Sequence, residues 1–191
     1  MNREIVSLLV AFILFTLSPP ILVAQQSTEA DKGPKTKLEE FQAQTGTVVI
    51  KGYSEIGKIM GTGSVQVDAM ELTNATTGIK QSGVLIEVQE SGRLQNSGRS
   101  FIDSDEVDAL LKGLDYISKA SSDVTKLSNF EATYKTKGSF AVTTFSGSSG
   151  KIDAVIKCGH IRSASAYLSL QKLAEFRVLV VQAKQKLESA K

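Results

Sequence analysis

The chain reads as an α+β protein built from two degenerate β-β-β-β-α units, joined into one pseudo-twofold domain of antiparallel sheets with two packed helices. Three observations lead there. Short segments alternate apolar and polar residues between clusters of Gly, Ser, Asn and Thr, the pattern of half-buried strands. Each group of four such segments is followed by a run with helical periodicity. At the two strand-to-helix junctions the patterns superimpose without a gap: Ile102 falls on Leu168, Asp103 on Ser169, Val107 on Leu173, Leu110 on Phe176 and Leu114 on Val180.

The first element is a targeting signal. Arg3 precedes an apolar run from Ile5 to Leu17, then Ser18-Pro19-Pro20 and "ILVA". This is the layout of a signal peptide, residues 1–24, cleaved after Ala24. An uncleaved membrane anchor is the competing outcome, because Leu22 is bulky where a small residue is preferred. Residues 25–44 form a polar linker in which "KLEEFQAQ" adds a short helical turn, and a single α+β domain spans 45–191.

Copy one covers about 46–120. "TVVIKGYSEIGKIMG", "SVQVDAMELTN", "GVLIEVQE" and "RSFI" are its strands, and "GTGS" between the first two is a hairpin turn without the lysine of a phosphate loop. From Ser104 to about Lys119, Val107, Leu110, Leu111, Leu114 and Ile117 define one helical face. Copy two covers about 129–188. "FEATYKTKG", "SFAVTTFSG", "KIDAVIKCG" and "SASAYLS" are strands, and "LQKLAEFRVLVVQAKQKL" is the closing helix. Its "VLVV" is apolar around the circumference, which predicts burial on several sides, within the domain or in a homo-oligomer.

The stretch "SFIDSDEVDALL" gathers Asp103, Asp105, Glu106 and Asp108 before the first helix. As a calcium loop it fails, with Val107, Asp108 and Leu114 where a ligand, a glycine and a glutamate are needed. Asp103 followed by Glu106 instead fits a helix cap with its reciprocal partner, and Ser169 is the matching cap in copy two. Asp108 with Lys112 and Asp115 with Lys119 have the spacing of exposed ion pairs.

Chemistry has little raw material. Net charge is +2, there is no tryptophan, and Cys158 and His160 are the only thiol and imidazole. At i and i+2 on a strand these two could act as nucleophile and base or as two metal ligands, although no spacing supplies a third. A polyanion-binding face would draw on Tyr134, Lys135, Lys137, Lys157 and Arg162. "NAT" at Asn74 is a glycosylation sequon if the source is eukaryotic. In the order of its elements the chain resembles the plant Whirly type of single-stranded DNA-binding domain; the resemblance implies a two-sheet architecture and assigns no site.

The sequence therefore points to an exported, periplasmic or extracellular protein acting as a non-catalytic structural or interaction module. A small enzyme or metal binder using Cys158 and His160 is the alternative, and a polyanion or nucleic-acid binder the second. No cofactor is expected. The expected partner is an unidentified protein or envelope component, with a homo-oligomer through the C-terminal helix as one form. Nucleic acid is not expected, and membrane contact only if the N-terminal segment stays uncleaved.

Overall fold

The computed structural model describes residues 35–92, 96–147, 150–159 and 163–190. The signal-peptide reading of 1–24 therefore lies outside the described residues. Among the described residues no helix is long and apolar enough to cross a membrane.

The described residues form two four-stranded antiparallel sheets and three α-helices. Sheet one is a meander of β1 (Val49–Gly61), β2 (Gly63–Asn74), β3 (Lys80–Gln89) and β4 (Ser97–Asp103), followed by α2 (Val107–Ile117). Sheet two repeats the order with β5 (Glu131–Lys135), β6 (Ala141–Ser146), β7 (Ile152–Cys158) and β8 (Ala164–Ser169), followed by α3 (Leu170–Ser189). Both units are thus β-β-β-β-α.

The helices are exchanged between the units. α3 crosses the inner face of β1, β2 and β3, whereas α2 packs on β5 and β6. Each sheet so obtains its main apolar cover from the other copy. One core results, in which Val65, Val67, Val84, Ile86 and Ile102 of sheet one meet Val142, Ala154, Ile156, Ala166 and Leu168 of sheet two. Buried helix positions keep the spacing seen in the sequence: Val107, Leu110 and Leu114 are buried in α2, as are Leu173, Phe176 and Val180 in α3. Two glycines permit the close crossings. A Cβ on Gly113 of α2 would lie 2.3 Å from the Tyr134 ring of β5, and one on Gly57 of β1 would lie 2.8 Å from Leu179 of α3.

Ion pairs fix the direction of the helix pair. Asp108 accepts from Lys184 at 2.7 Å, and the Arg177 Nη2 donates to Asp115 at 2.8 Å. As one helix advances two turns the other recedes two, so α2 and α3 run antiparallel. The expected pairs of Asp108 with Lys112 and Asp115 with Lys119 do not form. An arginine or lysine on the facing helix reaches these carboxylates instead, because the packed helices bring it closer than a turn of free surface does. Within the "VLVV" segment Val180 is in the core, Leu179 lies on β1 and Val181 is partly buried. Val178 remains half exposed.

Residues expected to form a linker instead include a docked element. α1 (Lys37–Gln42) inserts Leu38 and Phe41 against Met70, Leu72 and Leu85 on the outer face of sheet one. This explains why β2 is buried on both faces, where simple alternation leaves one face wet. The short helix expected within residues 25–44 is thus packed on the sheet that follows it.

Candidate functional site

The acids at the β4–α2 junction, read from the sequence as a helix start and not as a chemical site, make structural contacts, though not with the helix expected. Asp103 does not cap α2. Ser104–Glu106 form a turn in which the Glu106 N–H bonds to the Asp103 carbonyl at 2.8 Å, so the helix starts later, and Glu106 at its N-cap makes no side-chain capping bond. The Asp103 side chain, 1% exposed, turns instead to α1 and accepts the backbone N–H groups of Lys37 at 2.9 Å and Leu38 at 3.1 Å. Those are donors that no helix can satisfy internally. Thr36 and Glu39 complete a reciprocal capping box, with the Glu39 N–H on the Thr36 hydroxyl at 3.1 Å. All three N–H groups of the first turn of α1 are then occupied.

The other acids tie further elements. Asp105 pairs with Lys37 at 2.6 Å, and that hydrogen bond holds its carboxyl below the usual range while raising the Lys37 ammonium. Glu106 accepts the Lys137 N–H at 3.0 Å, which anchors the β5–β6 turn. Its second oxygen is buried without a partner among the described residues. Asp108 holds α3 through Lys184, as described. The four acids therefore hold α1, the β5–β6 turn and α3 around one junction. In copy two, Ser169 precedes α3 and its hydroxyl accepts the Lys172 N–H at 3.3 Å.

Cys158 ends β7 fully buried, and burial pushes its thiol up to about 12. At neutral pH the thiolate needed for attack or metal ligation is scarcely present. Its proposed partner His160 lies outside the described residues. Among the described residues no group of three metal-ligating side chains exists.

The Tyr134–lysine face separates into two sides. Tyr134 points inward against Gly113 of α2, where burial raises its phenol. Lys135 and Lys157 are exposed on the outer face of sheet two, in one row through Ala141, and Lys137 is exposed in the β5–β6 turn. Period-two alternation on a strand keeps Tyr134 and Lys135 on opposite faces. Arg162 lies outside the described residues.

The aromatic residue that does share the outer face is Tyr167, 53% exposed, which contacts Phe145 edge-on at 6.4 Å. It sits in a row with Val155, Thr143 and Thr133, the last two joined through their hydroxyls at 2.8 Å. Thr62, in the β1–β2 turn, exchanges two backbone hydrogen bonds with Tyr167, at 3.0 and 3.1 Å, and so extends this sheet by one residue of the other. An open groove of about 430 Å³ lies between that turn and the aromatic pair. Its cations are internally balanced, Lys151 by Asp153 at 3.0 Å and Lys172 by Glu175 at 2.7 Å. No helix among the described residues covers this face. The sequence placed Tyr167 only in the repeat; its exposure depended on which face the partner helix would take.

The sequon at Asn74 is closed by its own packing. The side-chain oxygen accepts the N–H groups of Thr76 and Thr77, both at 3.0 Å, and the amide nitrogen donates to Gln44 at 2.9 Å. It organises the β2–β3 turn.

No family model, no curated protein and no solved structure matches this chain.

Proposed function

We propose that the protein is an exported, non-catalytic interaction module that binds a partner through the outer face of sheet two. The observation that carries this reading is the uncovered row of Thr133, Thr143, Val155 and Tyr167 with Phe145 beside it. A half-exposed tyrosine with a part-buried phenylalanine against it, on a rigid, hydrogen-bonded sheet, offers contact area without the entropy cost of ordering a loop. The cations nearest the aromatic residues are paired with carboxylates, which supports a protein or envelope surface as the occupant there, while Lys135 and Lys157 on the neighbouring row stay exposed. Support for a non-catalytic role comes from the buried, protonated Cys158 and from acids engaged in structural bonds.

The test is site-specific photocrosslinking in cells with the crosslinking residue at Tyr167, at Val155, and at Val178 on α3 as control. Discrete adducts at 167 and 155 but not at 178 are expected. Adducts only at 178, or at none of the three, contradict the reading.

A further inference from the structure

Five of the large apolar side chains that the fold leaves exposed lie on or beside one sheet edge. Val48, Ile50, Tyr53 and Met60 follow β1, and Ile79 stands in the adjoining β2–β3 turn, each more than half exposed. Among the described residues β1, a 13-residue strand, is hydrogen-bonded only to β2, so its other edge carries a row of backbone donors and acceptors. Such an edge is a template for another strand unless it is blunted. Here a bulge shifts the register between Glu55 and Gly57, leaving Val49–Glu55 as an uninterrupted segment.

The side chains of that segment are self-complementary. Lys51, Tyr53 and Glu55 project from the same face, with the Lys51 ammonium 5.4 Å from the Tyr53 ring centroid. Glu55 lies directly opposite Asp68 of β2, and among the described residues neither carboxylate has an ion-pair partner. Like charges in that position repel, so a cation on the free side of Glu55 relieves both.

We propose that two copies of this chain pair antiparallel through β1, about a twofold axis at Tyr53. A twofold between antiparallel edges sets residues of equal parity opposite one another. Centred on Tyr53, it places Lys51 of each copy against Glu55 of the other, and Tyr53 against its twin. Centred on Gly52 or Ser54, the same segment matches neither charge with its opposite. The two meanders then become one continuous eight-stranded sheet, with both α3 helices on one side. The outer face of sheet two stays free, so this association is independent of the partner surface proposed above.

The experiment is light scattering on the full chain as recovered from expressing cells, at micromolar concentration, with variants Lys51→Glu, Glu55→Lys and the double exchange. The wild type is expected at twice the chain mass. Each single reversal opposes like charges at two symmetric sites and weakens association by about tenfold or more. The double exchange restores pairing, and mixing the two single variants yields a heterodimer, because both contacts become complementary. Unchanged far-ultraviolet spectra confirm that these exposed substitutions leave the fold intact. A monomeric wild type, a dimer indifferent to both single reversals, or a double exchange that fails to restore association overturns the proposal.

Discussion

Asp103 stands at the end of a strand, before an amphipathic run and three residues ahead of a glutamate, and every local rule assigns it to the helix that follows. The carboxylate goes to another helix because two orphan N–H groups from Lys37 and Leu38 arrive there, while Ser104–Glu106 close a turn of their own. That outcome was not legible, since the donors lie far away in sequence and nothing in α1 announces where it docks. Replacing Asp103 by alanine leaves both donors unpaired, that of Leu38 buried and that of Lys37 partly so. A loss of about 2–3 kcal/mol is expected in urea unfolding, with new protease sensitivity at residues 35–46. Cys158 was legible, because it ends an alternating apolar strand. With its thiol raised to about 12, it should not react with a disulfide reagent at pH 8 in the native state and should react fully in denaturant. Rapid native reaction would revive the catalytic reading. The paired carboxylates set the acid response. Asp115 is lowered by its hydrogen bond from Arg177, and Asp105 by that from Lys37. Below their unfolded pKa near 4 the unfolded chain binds more protons than the native one. Stability contributed by these pairs is therefore present above about pH 4 and lost as pH falls further, which urea midpoints measured from pH 6 to pH 2 will follow.

At the level of elements, the strands and the two long helices were readable because burial imposes one period on each. The faces of α2 and α3 match at a fixed spacing for the same reason. Ion pairing was not readable: Asp108 and Asp115 had lysines one turn away, and the facing helix supplied nearer cations. α1 was underread, since six residues with two apolar anchors carry little periodic signal, yet Leu38 is fully buried. Leu38→Ala is expected to cost about 2 kcal/mol or more, since it leaves a cavity among side chains that are already packed around Phe41, Met70, Leu72 and Leu85. Gly113 gives a sign test of the α2–β5 contact. In an exposed helix Gly→Ala stabilises by about 1 kcal/mol. Here the added methyl meets the Tyr134 ring at 2.3 Å, so Gly113→Ala should lower the thermal midpoint. A raised midpoint would show that the helix and strand do not approach so closely.

For the whole molecule, the exchange of helices is what makes two weak repeats into one fold. Sheet one loses the main apolar cover of its inner face without α3, and sheet two that of β5 and β6 without α2. The same exchange leaves the outer face of sheet two bare. Repetition was legible from the matched junctions, but which helix covers which sheet was not, because an apolar stripe says that it is buried and not against what. Export belongs to this scale also. If the N-terminal segment directs secretion, the mass of the chain recovered outside the cytoplasm should correspond to a start at Gln25. The exchange itself is tested most directly by dividing the chain in the loop after Lys126 and recording the unfolding of each part, separately and mixed. The fold described here requires that neither part alone unfold cooperatively and that the mixture regain the cooperative transition. A cooperative transition in either part alone, with the spectrum of its native sheet, would contradict it.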